Sequence, residues 1–79
     1  MDLKEAVAIA KRQVSDQFAD EAPHNLRLEE YLYDDHLGVW SLTIGFVLGG
    51  GEAAAGAKRS FKLVRVSQAD QSVLSIRDP

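Results

Sequence analysis

Trp40-Ser-Leu-Thr-Ile-Gly-Phe-Val-Leu48 is the stretch that decides the fold. Its even positions, Trp40, Leu42, Ile44, Phe46 and Leu48, are all large and apolar. Its odd positions, Ser41, Thr43, Gly45 and Val47, are small or polar. An unbroken period of two marks a strand with one face in a core. At about 1.5–3 kcal/mol per fully buried side chain, that face supplies a gross hydrophobic drive on the order of 10 kcal/mol. No other short segment matches it, so the remaining chain reads as whatever covers this face.

Working outward toward the N-terminus, residues 2–19 predict an amphipathic helix. Leu3, Val7, Ala10, Val14 and Phe18 line one side of a 3.6-residue repeat, and Ala6 and Ile9 widen it. Asp2 with Glu5 three positions later makes a capping-box-like start. Ala22-Pro23 marks the end, because proline disfavours helix at the residue before it. Asp20 and Glu21 suit a helix C-terminus poorly, so the helix is expected to stop before them.

Residues 25–33 predict a strand of ambiguous phase. Leu26, Leu28 and Leu32 share one parity with Glu30 intruding, while Tyr31 and Tyr33 take the other. Asp34-Asp35-His36-Leu37-Gly38 has turn composition. Simple antiparallel register across that turn would set Leu32 against Trp40, Glu30 against Leu42, Leu28 against Ile44 and Leu26 against Phe46. A bulge at Glu29-Glu30 would instead turn Tyr31 and Tyr33 inward. Simple register is the favoured reading because it satisfies three leucines together.

On the C-terminal side, Gly49–Ala57 reads as a flexible loop. Gly51, Gly56, Lys58 and Ser60 invite comparison with a phosphate-binding loop, but the spacing fails and no helix pattern follows. Residues 59–67 and 72–77 predict two further strands joined at Gln68–Gln71. Phe61 and Leu63 oppose Val64 and Val66 in parity, which implies either a bulge near Leu63-Val64 or partial cover on both faces. Leu74 and Ile76 are expected to face the core rather than Val73. The whole is an α+β domain over residues 1–79: one N-terminal helix packed on a four-stranded antiparallel meander sheet, strands near 25–33, 39–48, 59–67 and 72–77 (αββββ).

Charge and composition bound the function. Residues 1–36 hold nine acids against four bases, and residues 37–79 hold three acids against five bases, for a net −3. An acidic chain disfavours non-specific nucleic-acid binding. The local basic set Lys58, Arg59, Lys62 and Arg65 keeps a small-ligand or nucleic-acid site as the alternative reading. With no cysteine there is neither a disulfide framework nor a thiolate metal site, which fits a reducing cytoplasm. No apolar run is long enough for a signal peptide or a membrane span.

No residue set demands a chemistry. Glu29, Glu30, Asp34 and Asp35 lack the spacing of a hard-cation site, and His24 and His36 have no second ligand at useful spacing. Glu30 is the one carboxylate placed on an apolar face, which a salt bridge to Lys4 or Lys11 of the helix, or a frayed strand end, would explain. The serines lack a nucleophile-elbow context. No catalytic residue, cofactor or metal is expected, and the chain is read as a non-enzyme. One helix of roughly 25 Å covers only one face of a four-stranded sheet. The other face, expected to carry Tyr31, Tyr33, Val39, Thr43 and Val47, is the candidate surface for a protein partner or a homodimer, with the glycine-rich loop as the other.

The strands carry a resemblance. Leu28-Glu-Glu, Asp34-Asp35, Gly38-Val-Trp40, Leu42-Thr-Ile-Gly-Phe46, Phe61-Lys-Leu-Val64 and Val73-Leu-Ser-Ile-Arg77 together resemble a family of small, uncharacterised bacterial α+β proteins with a W-x-[ILV]-T-[ILV]-G-F strand. The element order is also similar to a PepSY-type or cystatin-like half and to some small immunity proteins of bacterial toxin systems. Gln68-Ala-Asp-Gln71 stands where PepSY hairpins have Asp-x-x-Thr-Gly. The resemblance implies a structure and no particular activity. Acidic charge, small size, an incompletely covered sheet and the lack of a catalytic constellation are what lead to the reading as a non-enzymatic interaction module of a bacterial cytoplasmic system, of immunity, antitoxin or accessory-subunit type.

Overall fold

The computed structural model describes residues 1–49 and 59–79. Helix α1 (Leu3–Gln17) is followed by a single 3₁₀ turn (Ala19–Glu21) and by strands β1 (His24–Asp34), β2 (Val39–Val47), β3 (Arg59–Ser67) and β4 (Val73–Arg77). The strands form one antiparallel sheet in the order β1-β2-β3-β4, the meander expected from the sequence. The glycine-rich segment, including Lys58, lies outside the described residues.

The helix begins where its cap predicts. Asp2 accepts from the Glu5 amide at 2.9 Å, and its own carbonyl takes the Ala6 amide at 3.0 Å. It ends at Gln17, before the acids, with the Phe18 amide still reaching the Val14 carbonyl. The 3₁₀ turn closes on Ala22, whose φ of 51° is left-handed, and Pro23 prevents any return to helix. The Gly49 amide donates to the Glu21 carbonyl at 2.8 Å, which ties the end of β2 to this turn.

Ala6, Ala10 and Val14 form the fully buried line of the helix, and they are small. Small side chains let the helix axis come close to the sheet, where they meet Leu42, Ile44 and Phe46 of β2 and Val64 and Val66 of β3. The larger Leu3, Val7, Ile9 and Phe18 pack around that line, and Phe18 stacks on Phe46 with centroids 6.0 Å apart. The even face of the opening stretch is therefore the seat of the helix.

The β1 register corrects the favoured reading. Leu28 pairs with Ile44 as expected, but a bulge at Glu29 shifts everything after it. Glu30 then pairs with Thr43, Tyr31 with Leu42, Leu32 with Ser41 and Tyr33 with Trp40. Leu26 and Leu28 join the core, while Leu32 is turned to the opposite face and left exposed. The extra residue lets the Glu29 carboxylate reach over Gly45 to arginine partners, while two tyrosines replace one leucine beside Trp40.

The β3 register to β2 is unbroken from Arg59 to Ser67, so no bulge falls at Leu63-Val64. Both faces of β3 carry apolar side chains instead: Val64 and Val66 under the helix, Phe61 and Leu63 on the other side. The irregularity falls between β3 and β4, where Arg65 pairs with Ser75 and Val66 with Val73. Leu74 is the unmatched residue, and this overturns its expected core position: it is exposed, while Val73 and Ile76 pack on the core.

Candidate functional site

The helix-free face of the sheet follows from these registers. Across it run Arg27, Glu30, Leu32 and Asp34 of β1, then Val39, Ser41, Thr43, Gly45 and Val47 of β2. Arg59, Phe61, Leu63 and Arg65 of β3 follow, with Ser75 and Arg77 of β4. Four of the five arginines in the chain thus lie on one face.

Of the residues expected to form a partner surface, only Val39, Thr43 and Val47 share this face. Val39 and Val47 are buried, since β2 is central and each is flanked on both sides: Val39 by Asp34 and Ser67, Val47 by His24 and Arg59. Thr43 is half-buried. Tyr31 and Tyr33 belong to the helix side, a correction that follows from the Glu29 bulge. There they flank Trp40, with ring centroids 6.5 and 4.6 Å from it. The surface residues that sequence reasoning missed are Leu32, Phe61 and Leu63. Their parity was visible, but the register that decides their face was not.

Around Thr43 the face is hollowed. Glu30, Tyr31, Leu32, Ser41, Thr43 and Leu63 line a depression of about 210 Å³. Small Ser41 and Thr43 form its floor between the larger Leu32 and Leu63, which are cross-strand neighbours of the two. At one end of the face, Gly45 lets the Glu29 side chain lie across β2, because a Cβ there would collide with the carboxylate. Glu29 accepts from Arg27 Nε at 2.9 Å and lies 3.4 Å from Arg59 Nε. The hydrogen bond from Arg27, aided by both positive charges, holds the Glu29 carboxyl below the usual carboxylate range. Arg59 also donates to the Asn25 carbonyl.

The described members of the alternative basic set are divided between the two faces of the sheet, and Lys58 lies outside the described residues. Lys62 points to the helix side, where it pairs with Asp78 at 2.6 Å and stands 5.4 Å from the Phe18 ring centre. Arg59 is engaged by Glu29 and Asn25, and Arg65 lies further along the opposite face. Glu30 is not paired to Lys4 or Lys11 as expected; it faces away from the helix, opposite Thr43.

A larger hollow, about 520 Å³ among the described residues, lies at the sheet end between Phe18, Phe46, Leu48, Phe61, Lys62 and Asp78. Its wall mixes aromatic rings with cations that already have carboxylate partners. Among the described residues, no three of His, Cys, Asp and Glu gather as a metal site, and no helix is long and apolar enough to cross a membrane. The geometry defines an α+β chain with one sheet face under the helix and the other uncovered among the described residues. Comparison with family models, curated proteins and solved structures yields no match.

Proposed function

We propose that this chain is a non-catalytic protein-interaction module of a bacterial cytoplasmic system, of immunity, antitoxin or accessory-subunit type, which receives its partner on the helix-free sheet face. One observation carries the reading: the hollow around Thr43, walled by exposed Leu32 and by Leu63 and bordered by Glu30 and Arg65. Apolar walls over a floor of small hydroxyl side chains, with charges at the border, suit a protein contact. The acidic balance and small size of the chain suit the same class. Catalysis would need titrating groups brought together in a pocket, and the candidate carboxylate, Glu30, lies at the rim of a shallow hollow.

A photo-crosslinking residue at position 63, compared with one at Arg12 on the outer side of α1, tests the surface in the native cell. The expected result is one defined protein crosslinked from position 63 and absent from position 12. With that protein purified, Leu63→Glu weakens binding about tenfold or more while the chain stays folded by circular dichroism. Equal crosslinking from both positions, or unchanged affinity of Leu63→Glu, overturns the proposal.

A further inference from the structure

Among the described residues, the β1 edge is left open and regular in one stretch. Its first half is irregular, with shifts between His24 and Arg27 and again at Glu29. Bulges of this kind blunt an edge against pairing. From Glu30 to Asp34 the ladder to β2 is regular, and the stretch contains no lysine, proline or bulge. At the other side of the sheet, β4 has five residues and is interrupted at Leu74. The distal half of β1 is thus a regular edge whose protection against pairing is the charge of Glu30 and Asp34 alone.

Its backbone groups can be assigned from the hairpin. The Gly38 amide donates to the Asp34 carbonyl at 2.8 Å, so Asp34 directs its polar groups toward β2. Alternation along an antiparallel strand then turns those of Leu32 toward β2 and those of Tyr31 and Tyr33 outward. Two N–H and two C=O groups therefore face away from the sheet. The side chains around them are apolar and exposed: Tyr31 by 54%, Leu32 by 66% and Tyr33 by 37%. The tyrosines stand on the helix side, and Leu32 stands between Glu30 and Asp34 on the open face, so an added strand would meet aromatic surface on one of its faces and carboxylates flanking a leucine on the other.

Charge selects the occupant. Glu30, Asp34 and Asp35 lie in this stretch or next to it, and none is in an ion pair among the described residues. Asp34 is held by the turn, accepting from the His36 and Leu37 amides at 3.0 Å. A second copy fits poorly. The self-pairing that uses the whole regular stretch centres on Leu32 and sets Glu30 against Asp34 of the other copy, twice. Like charges directly opposite are destabilising.

We infer that a partner adds an extended segment of alternating apolar and basic residues as a fifth strand on β1, antiparallel or parallel, hydrogen-bonded to Tyr31 and Tyr33. This rests on the interaction role proposed above and names the chemistry of that partner. Main-chain bonds supply the affinity of such strand addition, and side-chain pockets and charges supply the selection. The hollow between Leu32 and Leu63 lies one strand in from the docked segment, within reach of its long side chains.

A display library of twelve-residue peptides panned against the full chain tests this, with the enriched peptides then synthesised as probes. The expected sequences alternate apolar with Lys or Arg. Their binding shifts the Tyr31 and Tyr33 amide resonances and slows exchange of those amides, with a smaller effect at Leu32. Tyr33→Pro removes an outward amide without touching the β2 ladder, and it lowers affinity about tenfold beyond Tyr33→Ser, which keeps the amide. Glu30→Lys combined with Asp35→Lys also weakens binding. Enrichment of acidic or no peptides, unprotected Tyr31 and Tyr33 amides, or a chain that dimerises through Tyr33 each overturns the inference. If position 63 crosslinks a native partner whose affinity ignores Tyr33→Pro, the interaction role stands and the edge docking falls.

Discussion

Tyr33 lies directly across from Trp40 in the β1–β2 ladder, with ring centroids 4.6 Å apart and planes tilted by 39°. Simple register would have placed Leu32 there. The exchange of a leucine for a tyrosine is the local signature of the Glu29 bulge, and it shapes both sides of the sheet at once.

The tilted pair should be worth about 1 kcal/mol beyond its buried area. Tyr33→Leu is therefore expected to lower unfolding stability by roughly that amount, and Tyr31→Leu by less, because Tyr31 stands 6.5 Å from the same ring. Trp40 is the only tryptophan, so its emission should move with the first substitution and much less with the second. Equal effects in urea titrations followed by fluorescence would contradict the register.

Trp40 is also held from β3's far end. Its Nε1–H donates to Gln68 Oε1 at 2.7 Å, and Gln68 Nε2 donates to the Met1 carbonyl at 3.0 Å. One side chain thus joins the start of the helix to the start of β2. Gln68→Leu should cost about 1–3 kcal/mol, since it leaves a partly buried indole N–H without a partner. Gln68→Glu keeps the acceptor and should cost less, as read from denaturant midpoints.

Ala22 is left-handed, a conformation that costs a residue with a Cβ roughly 1 kcal/mol. Ala22→Gly is expected to stabilise the chain by up to about that amount. The same change at Ala8, exposed within α1, should destabilise it by about 1 kcal/mol. Thermal melts of the two variants should therefore move in opposite directions from the parent.

Glu29 and Asp70 both ionise more readily than usual, Glu29 through Arg27 and Arg59, and Asp70 through hydrogen bonds from Ser72. A carboxyl depressed in the folded state contributes stability that is full above its unfolded pKa. That contribution disappears as pH falls through the lower folded value. Stability should therefore decline as pH drops below about 4.5. Glu29→Gln should be less stable than the parent at pH 7, and the gap should close toward pH 2. A gap independent of pH would show that the ion cluster over Gly45 contributes nothing.

Much of the architecture was legible in the sequence because it rests on local periodicity. The alternation of Trp40–Leu48, the stripe of α1 and its Asp2 cap each follow from one segment's own spacing, and each appears as expected. The turn residues around Gly38 and Gln68 likewise delimited the strands, and the meander order followed. The face of each β1 residue did not follow. It depends on whether one extra residue is inserted at Glu29, and that is decided by what Glu29 meets: the space over Gly45, and the guanidinium of Arg59, thirty positions away. Simple register would bury three leucines in β1. The folded chain packs two against the core, both partly buried, seats Tyr33 on Trp40 and pairs the Glu29 carboxylate. Periodicity within a strand says which residues share a face; only contacts between strands say which face that is, and here they moved Tyr31 and Tyr33 off the open face and put Leu32 on it.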